Sequence, residues 1–201
     1  MEKRILTLET EVRTAGENEP SEIIGRGAVV GVTTDLGYIE EEIAPDAFRE
    51  ADLSDVLVAF NHDLNIILGR TTAATAEIDI DSEGNLNYRA TKIDYENPSV
   101  KSAARYIERG EVSKSSFMFT IDDYTWEDSE KYGKRMKRLI TRVGKVYEAG
   151  PVTIPAYEDT SANSRSQILE ARSKWIEANE SENGEEFRAE YTKKFYETII
   201  K

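Results

Sequence analysis

Among side chains that move protons near neutral pH, the sequence holds a single imidazole, His62. It stands in Asn61-His62-Asp63, a polar break between the apolar runs Val56–Phe60 and Ile66–Thr71. A rigid scaffold can present a side chain at such a strand end. Imidazole suits a general base because its ordinary pKa is about 6.5. A histidine base needs a nucleophile, and a chain with no cysteine must supply a hydroxyl. Among the serines, Gly110-Glu111-Val112-Ser113-Lys114-Ser115-Ser116-Phe117-Met118-Phe119 is distinctive because it runs from a helix end into an apolar strand. Alternation in an extended chain puts Ser116 and Met118 on one face and Phe117 and Phe119 on the other. The phenylalanines can then anchor the strand while Ser116 faces a cleft. A third group, usually a carboxylate, orients the base. Glu148 is a candidate because it enters an otherwise apolar run near Tyr147 to Gly150, where a carboxylate is costly without a partner. Each of the three also has a plainer reading: a structural or exposed histidine, a polar turn entering a strand, a glutamate at a strand edge. Spacing alone favours the plainer readings.

The elements that must position these residues are mostly short strands. Residues 4–13 alternate as a strand, 14–21 form a polar loop, and Ile23–Thr33 reads as a buried strand. Tyr38–Ile43 is a further strand before Ala44-Pro45-Asp46-Ala47-Phe48, one helical turn with proline at its start. Ala76–Ile80 and Leu86–Ile93 flank the turn Asp81-Ser82-Glu83-Gly84-Asn85 as a hairpin. One internal helix is predicted from Asn97 as cap, Pro98 at its first position, the face Val100, Ala104 and Ile107, and Gly110 at its end. Strand character resumes over Ser115–Thr125 and Leu139–Tyr147, around an exposed charged loop, Glu127–Lys137. Short strands with few helices predict a mainly β, α+β fold with a closed or strongly curved sheet.

After Asp159 the pattern changes. Thr160–Ser166 reads as a linker, and Ile168, Leu169, Trp175 and Ile176 mark a helical stripe. Ser181–Gly184 breaks it, and Phe187, Tyr191, Phe195 and Ile199 recur every four residues as an aromatic helical face. The expected division is residues 1–159 as one domain and 160–201 as linker and helical segment. Those helices can pack on the first domain, or form a tail that binds a partner or a second copy of the chain.

Composition removes several classes of function. Without cysteine there is no disulfide, thiolate catalysis or cysteine metal site, and one histidine excludes a multi-histidine zinc site. No metal or cofactor is expected. The net charge of −13 repels phosphates, so nucleic acid is not an expected partner. No apolar run approaches the roughly 20 residues that span a bilayer, and the start lacks the apolar stretch of a signal peptide. A soluble, intracellular protein is the simple expectation. From Asp35 to Asp55 there are eight acidic residues and one arginine, which read as a solvated face or as a face for a basic partner.

Three separated stretches carry a resemblance. They are Phe60-Asn61-His62-Asp63 followed by Leu68-Gly69-Arg70-Thr71, the Gly-x-x-Ser-x-x-Ser-Phe-x-Phe pattern of Gly110–Phe119, and Glu148-Ala149-Gly150-Pro151-Val152-Thr153-Ile154-Pro155-Ala156-Tyr157. In this order and spacing, residues 25–159 resemble the prohead, or capsid maturation, serine proteases of tailed bacteriophages. The resemblance implies His62 as base, Ser116 as nucleophile and Glu148 as orienting acid. Lys114 and Ser115 stand where the family usually has a glycine and a larger apolar residue, which keeps Ser113 as the alternative nucleophile. Arg70 is a candidate to support the oxyanion, or else to pair with surface carboxylates. The family is similar in fold to herpesvirus assembly proteases, which implies a small closed β-barrel surrounded by helices. It also implies cleavage of a scaffolding protein or the N-terminal segment of a major capsid protein inside the immature capsid, in the host cytoplasm. Self-cleavage near residues 160–166 and homo-oligomers are further expectations. The alternative is a non-catalytic assembly protein that co-assembles with capsid subunits.

Overall fold

Strand Glu22–Ala28 (β3) alternates half-buried and fully buried side chains, as a strand with one face on a core must. The computed structural model describes residues 2–6, 10–13, 22–153 and 162–179. The other strands are Glu2–Leu6 (β1), Thr10–Arg13 (β2), Thr34–Asp35 (β4), Glu40–Ile43 (β5), Leu57–Ala59 (β6), Ile67–Arg70 (β7), Ala76–Ile80 (β8), Leu86–Ala90 (β9), Lys114–Ser129 (β10) and Gly133–Val152 (β11). Helix Pro98–Glu108 (α1) precedes β10, and Ala162–Asn179 (α2) follows β11. The chain divides into two compact units, Met1–Glu158 and Asp159–Lys201.

The strands form two sheets. In the larger, the order is β1-β10-β11-β5-β4, with β6 also on β11 and β7 on β6; the smaller is β2-β3-β9-β8. Between them lies one apolar cluster with Ile23, Leu86 and Tyr88 from the smaller sheet and Val58, Phe117, Phe119 and Ala149 from the larger. Helix α1 adds Val100, Ala103, Ala104 and Ile107. The α+β class is therefore as expected. The closed barrel is not: neither sheet closes on itself among the described residues. The physical reason lies in β10 and β11, a ribbon of 16 and 20 residues. The sheet around it ends in β1 on one side and β4 on the other, which do not pair with each other, and register shifts from Met118 to Tyr124 bend the ribbon between them. Among the described residues of the first unit, α1 is the one α-helix.

Local signals hold where the partner is close in sequence. Asn97 caps α1 by accepting from the Ser99 and Val100 amides, Pro98 opens it, and Gly110 follows with φ +71°. Strands β8 and β9 pair as the predicted hairpin. Residues 4–13 instead break into β1 on β10 and β2 on β3, in different sheets. The charged stretch 127–137 is not a loop: its turn is confined to 130–132, and Glu127 lies opposite Lys137 across the ribbon, 3.5 Å apart.

The acidic run from Asp35 to Asp55 is likewise taken up inside the chain. Strand β5 pairs in parallel with β11, placing Glu40–Ile43 beside Lys137–Ile140. Glu41 then meets Arg138, Glu42 meets Lys137, and Asp35 meets Lys131. Asp52 holds Lys145, Asp55 holds Arg70, and Asp46 holds Arg49. Six of the eight carboxylates thus have a cationic partner in the same chain, in place of the free acidic face expected.

In the second unit, α2 carries the predicted buried stripe at Ile168, Leu169 and Ile176, with Arg172 beside them and Trp175 half-buried. The helix begins at Ala162, so most of the stretch expected as a linker is helical. The loop at 14–21 and the aromatic face at Phe187, Tyr191, Phe195 and Ile199 lie outside the described residues. Among the described residues no helix is long and apolar enough to cross a membrane.

Candidate active site

The site is built on β11. Glu148 lies on this strand, opposite Met118 of β10 on one side and Leu57 of β6 on the other. Two residues on, Gly150 lies opposite Ser116. Side chains directly opposite in a sheet point the same way, and so do residues two apart. Ser116, Met118 and Glu148 therefore share one face of the larger sheet. Ser115, Phe117 and Phe119 share the other, where the Ser115 hydroxyl lies 2.9 Å from the Tyr88 hydroxyl of the smaller sheet. The alternation expected of Ser116 against Phe117 and Phe119 is present. Ser116 does not line an open cleft, however, since it is fully buried.

His62 reaches Glu148 because the chain leaving β6 crosses over β11. A Cβ placed on Gly150 would lie 2.1 Å from the Ala59 carbonyl oxygen, so only glycine admits this crossing. The Asn61 amide then donates to the Pro151 carbonyl, 2.9 Å away. Asn61 and His62 both take positive φ, +56° and +59°, and the Asp63 amide closes the turn on the Phe60 carbonyl at 3.0 Å. Asparagine and histidine tolerate this region better than most residues, but it still costs of order 1 kcal/mol or more for each. The turn aims the ring back over the sheet. Its Nδ1 lies 2.5 Å from Glu148 Oε2, with the His62 side chain 11% exposed and Glu148 1%. The Phe60 ring stacks on Tyr106 of α1 at 6.3 Å, which anchors the entry to the turn.

This contact sets the chemistry of the ring. With Nδ1 donating to the carboxylate, Nε2 carries the lone pair. Nε2 is buried and has no hydrogen-bond partner among the described residues. A buried nitrogen in that state is costly as structure and useful as a base. No hydrogen bond joins Nε2 to Ser116 or to Ser113.

The remaining predicted residues fall elsewhere. Ser113 is exposed and precedes β10. Arg70 lies opposite Leu57, two strands from Glu148 on the same face, or roughly 10 Å by strand spacing. Its guanidinium is engaged by Asp55 through two bonds of 2.7 and 2.6 Å. The Arg70 hydrogen bond is also the main cause holding the Asp55 carboxyl down to about 2. Pairing with a surface carboxylate, the other reading of Arg70, is the one observed. Among the described residues no group of three or more histidine, aspartate or glutamate side chains is placed to hold a metal ion.

Sequence reasoning gave Asn61 and Thr153 no role of their own. Asn61 Oδ1 accepts from the Thr153 amide at 2.8 Å and from its hydroxyl at 3.1 Å. Both lie in stretches that carry the family resemblance, and asparagine tolerates positive φ in a polar break, but neither signal joins the two residues.

A family model described as Caudovirus prohead serine protease matches residues 7–174. No curated protein and no solved structure matches the chain.

Proposed function

The chain belongs to the caudovirus prohead serine proteases, and from that premise we propose that His62, Ser116 and Glu148 are its catalytic set. The observation that carries this reading is the 2.5 Å contact of His62 Nδ1 with Glu148 Oε2, on the sheet face shared with Ser116. In the mechanism, the Ser116 hydroxyl attacks a peptide carbonyl while His62 Nε2 takes its proton. Glu148 keeps the ring oriented and stabilises the imidazolium that forms. The same Nε2 returns the proton to the leaving amine, and water then hydrolyses the acyl-enzyme with His62 again as base. Backbone amides stabilise the oxyanion, each such donor being worth about 100-fold or more in rate. Arg70, engaged by Asp55, is left out of this set. Contacts between nucleophile and base often tighten only when substrate binds, which accommodates a His62 Nε2 with no bond to Ser116.

The family acts in capsid maturation, so the work of this chain lies at the procapsid. The proposed substrates are a scaffolding protein or the N-terminal segment of a capsid protein, with residues 1–159 as the protease and 160–201 as its appendage. Self-cleavage between Asp159 and Lys174 is part of the proposal. It requires the first turns of α2 to unwind, since proteases bind extended chain. The rival reading is a non-catalytic assembly protein; in the acidic stretch that could offer it a face for a basic partner, six of the eight carboxylates are already paired within the chain.

The test is co-expression with the capsid and scaffolding proteins of the same phage. Ser116→Ala is expected to abolish their cleavage and self-processing while the protein stays folded. Cleavage that persists in this variant and vanishes in Ser113→Ala would transfer the nucleophile's role to Ser113.

A further inference from the structure

We propose that Asn61 is a positioning residue that holds His62 against Glu148, with Thr153 as its anchor just past β11. The inference rests on the active-site reading above, but its subject is the hold on the imidazole. The residues flanking His62 add little burial to hold the turn, because Asn61 is exposed and Asp63 half-buried, while the His62 side chain itself is 11% exposed. Two successive residues sit at positive φ, a conformation that persists only where its surroundings over-determine it. Three hydrogen bonds supply that constraint, all directed at the last residues of β11 or the one beyond. The Asn61 amide donates to Pro151, and Asn61 Oδ1 accepts from both the amide and the hydroxyl of Thr153. On the other side of the turn, Asp63 Oδ1 accepts from the amide and side chain of Asn65. That local loop does not fix the turn to the sheet.

The consequence is geometric. Glu148 belongs to β11, and the clamp refers His62 to the same strand. Base and acid then move as one body, and the contact between Nδ1 and Oε2 survives motion of the strand. If the Asn61 side chain lets go, one backbone bond to Pro151 remains. A displacement of about 1 Å then lengthens the 2.5 Å contact beyond hydrogen-bond range. The ring loses its fixed tautomer, and Nε2 no longer presents its lone pair in one direction.

His62 is the only histidine, so the full-length protein labelled at histidine gives a single imidazole signal by NMR. A second readout is the rate at which a fluorophosphonate probe modifies the active serine. Asn61→Gly keeps the positive φ and removes the acceptor; Asn61→Asp keeps both. Asn61→Gly is expected to lose the downfield Nδ1 proton and to react about 10- to 100-fold more slowly, with melting within a few degrees of the parent. Asn61→Asp is expected to keep the signal and to react within about threefold of the parent. Thr153→Val removes only the hydroxyl bond and serves as a second variant, expected to broaden the Nδ1 signal at an unchanged melting temperature. Retention of the signal in Asn61→Gly, its loss in Asn61→Asp, or no change in Thr153→Val would each overturn the clamp. If the probe labels nothing in the parent, the protease reading fails, while the imidazole signal still decides whether Asn61 holds the ring.

Discussion

Strand β11 holds Arg138 towards one end and Glu148 towards the other, and each meets a buried partner, one from the parallel strand β5 and one from the turn that follows the parallel strand β6. Arg138 takes Glu41 of β5, with Nε at 2.8 Å and Nη2 at 2.5 Å from the same carboxylate oxygen and both side chains at most 4% exposed. Glu148 takes His62 from the turn after β6. The first partner lies inside regular pairing, Glu41 directly beside Arg138, and needs no unusual backbone. The second requires a glycine crossing, two residues at positive φ and a buried nitrogen with no partner among the described residues. Burial and charge are therefore not what separates a structural pair from a chemical one. The separating features are strain and a polar atom left available.

The comparison breaks first at the His62 pair. Both His62→Ala and Glu148→Gln are expected to slow proteolysis by about 10,000-fold per folded molecule, since removing a member of such a set costs the reaction far more than it costs the fold. A Glu148→Gln variant with near-parent activity would demote the carboxylate to a structural role. At the other pair the expectation reverses. Arg138→Met leaves Glu41 buried without its cation and should lower stability by about 3–5 kcal/mol in denaturant unfolding, with the rate per folded molecule unchanged. Adding Glu41→Leu should restore most of that loss, because an apolar pair replaces a buried ionic one at little net cost. Inactivation of folded Arg138→Met would erase the distinction between the pairs.

The smallest expected effect is on pH dependence near the ribbon tip. The Glu42 carboxyl is held below its ordinary value chiefly by the Lys137 hydrogen bond. For Asp35, burial pushes the other way and is outweighed by bonds from Lys131, Tyr132 and the Gly37 amide, with a net lowering. A lowered carboxyl adds stability above its unfolded value of about 4, and that stability is lost as pH falls through the folded value. Amide exchange at the distal ends of β10 and β11 should thus accelerate modestly below about pH 4, relative to the core strands. Equal acceleration throughout would show that these pairs do not hold the tip.

How much of this was legible in the sequence depends on where each partner lies. Helix α1 and the β8–β9 hairpin could be read residue by residue, because Asn97, Pro98, Gly110 and the Asp81–Asn85 turn act on near neighbours. The split of residues 4–13 between sheets could not, since alternation records a strand's faces and not its partner. The pairing of the acidic run with β11 joins residues such as Glu41 and Arg138, 97 positions apart, through a parallel register that composition does not encode. The charges of 127–137 read as a loop because the cross-strand match of Glu127 with Lys137 appears only once the ribbon exists. At the site, alternation separated Ser116 from Ser115, but the meeting of His62 with Glu148 came from the family resemblance. Nothing in the spacing showed the crossing at Gly150 that brings them together.

The central claim is that Ser116 is a nucleophile activated by His62, and chemical labelling tests it without a known substrate. The full chain is treated with a fluorophosphonate, digested, and the modified residue located by peptide mass spectrometry. The account predicts modification of Ser116 and its loss in His62→Ala. Modification of Ser113 or another serine instead, or labelling of Ser116 that is unchanged in His62→Ala, would contradict it.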